Sequence, residues 1–187
     1  MAAASTPTGT PSPDPSSTPA FWNGWRIARW TMVAGLLLLP AVAMQFTAQV
    51  NWTPSDFVFA GVMIGGTALL YDIAVLTRTT YAYRGGVALA LAASFLLIWI
   101  NGAVGIIGNE DNPANLMFGG PLAIAFLGAL LSRFRPRGMA LTMAAAGAAQ
   151  IAIGFIALTM GVLIPFVTLF FTALWGASGL LFQKTAM

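Results

Sequence analysis

Apolar residues run along this chain in six long stretches, parted by short loops that collect most of its charge. The stretches lie at roughly Trp30–Val50, Pro54–Leu76, Gly86–Ile107, from Pro113 onward, Met139–Met160 and Pro165–Phe182. A helix rising about 1.5 Å per residue needs about 20 residues to cross the hydrocarbon core of a bilayer. The pattern therefore predicts an all-α integral membrane bundle of six transmembrane helices. Residues 1–20 read differently, as Pro, Ser, Thr and Ala with one charge, Asp14. Repeated Pro and little apolar surface predict a disordered tail ahead of a transmembrane domain over residues 21–187. The first stretch has a competing reading. Arg26 and Arg29, the LLLLP core and Ala41-Val42-Ala43 also fit a secretory signal with an A-x-A cleavage site. The long tail before Arg26 and the continuation of the run past Ala43 favour a retained helix.

The punctuation between stretches supports this. Thr53 as N-cap, Pro54 at the first helical position and Asp56 at the third make a capping-box start for the second helix. Gly61, Gly65, Ala68 and Asp72 on that helix share a face, so a neighbour is expected to approach closely there and turn Asp72 toward protein. Ser94, Asn101, Gly105 and Gly108 are assigned one face of the third helix. Asn112 caps and Pro113 opens the fourth, which Gly119-Gly120-Pro121 is expected to kink. Ala146, Gly147, Gln150, Gly154 and Ala157 lie along one side of the fifth helix. Thr168, Thr172, Gly176 and Gly179 do so on the sixth. Thr53–Gly61 aligns with Asn112–Gly120 as cap, Pro, small, acid or amide, two apolar residues, Phe, small, Gly, and Pro165 opens the sixth helix comparably. This suggests three tandem helical hairpins, each an odd helix out and an even helix back. The simpler account is that any helix start favours a cap followed by Pro.

Composition sharpens the class. The chain is 58% hydrophobic and 7% charged, with a mean hydropathy of +0.83, against about 25% charged residues in a soluble domain. Its eight basic residues sit in groups between apolar runs rather than in a stripe, which argues against nucleic acid as a partner. They are Arg26, Arg29, Arg78, Arg84, Arg133, Arg135, Arg137 and Lys184, and all fall on one side when both termini are placed in the cytoplasm. Asp56, Glu110 and Asp111 then lie outside. The chain has no Cys and no His, which removes thiol nucleophiles, disulfides, imidazole or thiolate zinc sites, bis-His haem and His-based triads.

Few polar groups remain as candidates. Asp72 is the one acid inside an apolar run; such acids are candidates for proton or cation relays. It lies about four residues from its helix end, where Arg78, Arg84 or Arg133 would make it a structural ion pair instead. Asn101 and Gln150 could meet a substrate, although intramembrane amides more often join helices by hydrogen bonds. Asp72, Asn101 and Gln150 are expected at three different depths, whereas a substrate site converges at one. Asn109-Glu110-Asp111-Asn112, completed by Asp56, offers oxygen ligands of the kind Ca²⁺ or Mg²⁺ takes. The Gly and alternating oxygens of a Ca²⁺ loop are absent, so a capped, solvated turn is expected, with no metal and no cofactor. Trp22, Trp25, Trp30 and Trp52 suit interfacial anchors, and Trp99 lies deeper.

Residues 44–118, with VNWTPSDF and WINGAVGIIGNEDNPANLMFGG, resemble a bacterial family of small multi-pass inner-membrane proteins of uncharacterised activity. The resemblance implies a bacterial plasma-membrane location and carries no catalytic residues. Three readings of function follow. The first is a non-enzymatic accessory or scaffold protein, with the lipid bilayer around it and a second copy or another membrane protein as partner. The alternative is a small transporter or channel using Asp72, Asn101 and Gln150. The third is an outer-face enzyme on a lipid-like substrate, using Glu110 and Asp111.

Overall fold

The computed structural model describes residues 24–76 and 80–187, and these are all-helical, without strands. In chain order the helices are α1 (Gly24–Ala43), α2 (Pro54–Leu76), α3 (Tyr81–Ala103), α4 (Gly119–Leu131, entered through a 3₁₀ segment, Pro113–Phe118), α5 (Pro136–Thr159) and α6 (Pro165–Lys184). With the 3₁₀ segment counted into α4, all six are long and apolar enough to cross a membrane. The protein has the architecture of a multi-pass membrane protein, in which helices satisfy their own backbone polar groups. The tail at 1–20, Trp22 and Arg78 lie outside the described residues.

Helix boundaries depart from the apolar pattern where polar contacts decide them. α1 begins before its arginines, not at Trp30, because Arg26, Arg29 and Trp30 reach a common partner only when wound one turn apart. α3 begins at Tyr81, five residues early, since Tyr83 is fully buried. It stops at Ala103, short of Ile107, because Gly105 turns into the left-handed region at φ 70°. Gly105 and Gly108 therefore leave the helix face assigned to them. Pro121 does not kink the fourth helix. The chain runs as a 3₁₀ turn to Phe118 and becomes α-helical at Gly119, so Pro121 falls in a first turn, where a missing N–H is tolerated.

The helices neighbour one another in the order α1, α2, α3, α6, α5, α4. α1 and α2 form a hairpin, as do α5 and α6. α3 and α4 instead take α6 and α5 as their main partners, and an apolar crevice of about 350 Å³ lies between them. α5 and α6 run antiparallel in a register that glycine makes close. A methyl placed on Gly179 would meet Met143 at 3.4 Å, one on Gly147 would meet Trp175 at 3.5 Å, and one on Gly154 would meet Thr168 at 2.6 Å. α3 crosses α6 as tightly. Gly86 lies against the Phe182 ring, and its carbonyl accepts a 2.7 Å hydrogen bond from Ser178 Oγ. Phe171, Trp175 and Phe182 of α6 are accordingly the centre of the core. The glycines of α2 behave oppositely: among the described residues, Gly61, Gly65 and Gly66 have nothing within 4 Å of a methyl position. Among the described residues the expected close approach on that face begins at Ala68 and Asp72, which are buried.

Gly86→Leu should lower the thermal unfolding midpoint in detergent, by about 1–3 kcal/mol of overpacking, because its Cβ starts 3.0 Å from the Phe182 ring. Gly176→Leu, with no neighbour within 4 Å, should leave the midpoint unchanged. Equal midpoints for the two variants would contradict the α3–α6 packing.

Candidate functional site

Asp72 sits one turn from the end of α2, 4% exposed, on the face turned to α1. Its Oδ2 accepts from Arg26 Nε at 3.1 Å and from Trp30 Nε1 at 3.2 Å, and its Oδ1 pairs with Arg29 at 2.5 Å. The Arg29 guanidinium also lies 4.8 Å over the Tyr71 ring. The partners anticipated for Asp72 were arginines of the later loops. Of these, Arg78 lies outside the described residues, and the ion pairs observed run to Arg26 and Arg29 on α1. The spacing Arg26, Arg29, Trp30 was the available signal, since residues three and four apart share a helix face. Trp30, assigned to an interfacial belt, uses its indole N–H on the same carboxylate.

The two amides do not join this cluster. Asn101 Nδ2 donates to the Leu97 carbonyl of its own helix, leaving its Oδ1 unpartnered. Gln150 is wholly buried on α5, and neither its amide oxygen nor its nitrogen has a partner. The α5–α6 register sets Gln150 level with Thr172. Thr172 Oγ1, Thr168 Oγ1 and Trp175 Nε1 are buried and unpartnered as well. The amides thus make no interhelical link of the expected kind: Asn101 folds back on its own turn, and Gln150 has no hydrogen-bond partner. Asp72, Asn101 and Gln150 sit at separate depths.

At the opposite end of the bundle the acids are spent on capping or face solvent. Asp56 Oδ2 accepts 2.8 Å bonds from Thr53 N–H and Thr53 Oγ1, completing the capping box expected there. Asn112 caps the 3₁₀ segment by accepting from Ala114 N–H at 2.9 Å. Glu110 and Asp111 are exposed. Among the described residues no group of three or more Asp, Glu, His or Cys could hold a metal ion. The residue that organises this end is one that sequence reasoning passed over. Asn115 is buried, and its Oδ1 accepts from the N–H groups of Ile106 (3.0 Å) and Ile107 (2.8 Å). Its Nδ2 donates to the carbonyls of Ile107 (3.3 Å) and Asn109 (2.7 Å). In the repeat alignment Asn115 stands where Asp56 caps its own helix, so the same register position serves two purposes. On α3, Trp99 stacks on Phe95 at 5.7 Å and faces Phe59 at 6.3 Å, tying α2 to α3.

Asp72→Asn should destabilise the fold by about 3 kcal/mol, the lower range for breaking one partner of a buried pair, read as a lowered unfolding midpoint in detergent; an unchanged midpoint would show that α1 is not held by this carboxylate. Gln150→Leu should do the reverse and raise the midpoint, by about 1–3 kcal/mol for removing an unsatisfied buried amide. A fall on that substitution would mean that the amide has a bonded partner. No protein-family model, curated protein or solved structure matches the chain.

Proposed function

We propose that this protein is a non-enzymatic accessory or scaffold component of a bacterial inner membrane, with both termini cytoplasmic, that assembles laterally with a second copy or another membrane protein. The observation that carries the reading is the open glycine edge of α2. Among the described residues, Gly61, Gly65 and Gly66 meet nothing within 4 Å of a methyl position, although in lipid small residues are what allow helices to approach. α1 is the least enclosed helix, with 11% of its apolar window buried. The intramembrane acid is engaged in ion pairs rather than left open to a passing ion. Orientation follows from the basic residues of the sequence, which share one side of the bundle under the positive-inside rule.

A transporter reading draws on a different observation, the buried unpartnered groups of Gln150, Thr168, Thr172 and Trp175 along one seam. Polar groups inside a membrane domain often mark substrate paths. It ranks second because Asp72 and Asn101 do not reach that seam.

Native mass spectrometry of protein gently extracted from its membrane tests assembly directly. The expected result is a defined oligomer or a fixed complex with a second protein, and Gly61→Leu/Gly65→Leu should reduce it to monomer while leaving the unfolding midpoint of the monomer unchanged. A bare monomer for both the natural chain and the variant would overturn the reading.

A further inference from the structure

One stripe of α3 begins in charge and continues in apolar side chains. Arg84, Val87, Leu91, Ser94 and Ile98 are spaced three and four apart, so they share a face. The last four line the crevice of about 350 Å³ between α3 and α4. From Val87 to Ile98 it follows α3 for about 16 Å at 1.5 Å per residue. That is about half of a hydrocarbon core roughly 30 Å thick, the depth of one leaflet. Leu70, Ile98, Phe126 and Leu130 on its lining are exposed, so it opens to the surroundings of the bundle. Among the described residues its one polar side chain is Ser94, whose hydroxyl already donates to the Ala90 carbonyl at 2.9 Å.

Arginine surrounds the end of the crevice formed by Phe134 and Met139. Arg133 and Arg135 flank Phe134, and Arg137 stands two residues before Met139. Arg84 joins them because its neighbour Tyr83 donates to the Phe134 carbonyl at 2.8 Å. Arg133, Arg135 and Arg137 are exposed. Arg84 is half-buried, and its Nε is buried without a hydrogen-bond partner. Among the described residues none of the four is in an ion pair; the carboxylate of Asp72 is taken by Arg26 and Arg29 on α1. The other described acids, Asp56, Glu110 and Asp111, stand at the far end of the bundle. α5 also starts here, at Pro136, with no acid in its first turn and no side chain capping it, so the positive end of its dipole adds to the charge. Positive charge at the edge of a low-dielectric region attracts an anion strongly.

Shape and charge together select the occupant. A helix roughly 10 Å across needs several times the crevice's volume over the same length. An extended peptide would bring N–H and C=O groups that this lining cannot bond. A second copy lying parallel would carry its Glu110 and Asp111 to the opposite end. A hydrocarbon chain needs no polar partner, and a phosphate at its head needs the arginines. We infer that the α3–α4 crevice is a binding site for an anionic phospholipid of the surrounding bilayer. One acyl chain lies along the Val87–Ile98 stripe, and the phosphodiester sits among Arg84, Arg135 and Arg137. The site does not use the glycine edge of α2, so it is independent of lateral assembly.

The test is native mass spectrometry of the full chain in detergent with added phosphatidylglycerol or phosphatidylcholine of matched acyl chains. One phosphatidylglycerol per chain should be retained at about tenfold lower lipid concentration than phosphatidylcholine, the ratio expected when one or two basic residues act on a single phosphate. Arg135→Gln/Arg137→Gln, which changes only exposed side chains, should remove that preference. Ala129→Phe, at a half-buried lining position on α4, should reduce retention of both lipids. Equal retention of the two lipids by the natural chain would overturn the proposal, as would an unchanged preference in Arg135→Gln/Arg137→Gln; both results decide even where Ala129→Phe does not fold. Undiminished retention by folded Ala129→Phe would place the lipid outside the crevice and overturn the site. Gly61→Leu/Gly65→Leu should retain phosphatidylglycerol as the natural chain does, whatever its oligomeric state. Loss of lipid in that variant would contradict a site whose walls belong to one chain.

Discussion

Close approach of α5 and α6 is the contact on which the rest of the bundle is built. In a bilayer the lipid tails are as apolar as the side chains, so burial of apolar surface gives helices little reason to associate, and van der Waals fit must supply the attraction. Gly147, Gly154 and Gly179 provide that fit by letting Trp175, Thr168 and Met143 sit against backbone. α3 joins through Gly86 against Phe182, and the Ser178 hydrogen bond locks its height. At the same end the Tyr83 hydroxyl donates to the Phe134 carbonyl at 2.8 Å. It steadies a turn in which Arg133 and Phe134 both hold positive φ, a conformation that costs roughly 1–2 kcal/mol per residue.

The α1–α2 hairpin is held by a different physics. Its outer half has no glycine-close contact, and its inner end is fastened by a carboxylate shared among two guanidiniums and an indole. An ion pair fixes one point and leaves the rest of the interface loose, which is why a wide groove opens between α1, α2 and α3. The assembly proposal falls on this part of the bundle, at Gly61 and Gly65 of α2.

The end that carries Glu110 and Asp111 is organised by one buried amide. Asn115 makes four hydrogen bonds to the backbone of the Gly105–Asn109 segment. Gly105 and Gly108 take the positive φ that the tight path needs. The acids are left pointing at solvent. A string that reads as a cluster of oxygen ligands is, once folded, a backbone turn pinned from below by an amide.

What the amino-acid order decided by itself was the class of fold and its local signals. Six apolar runs of bilayer length, the Thr53–Asp56 capping box and the Asn112-Pro113 start depend on neighbours within one or two turns, so linear inspection reaches them. The partner of Asp72, the use of Trp30 and the buried role of Asn115 depend on which helices lie side by side. That choice is made by steric fit between faces that look alike in sequence. Gly61 and Gly65 spell the same small-residue signal as Gly147 and Gly154, yet among the described residues only the second pair is filled by side chains. Periodicity tells which residues share a face; only tertiary packing decides what that face meets.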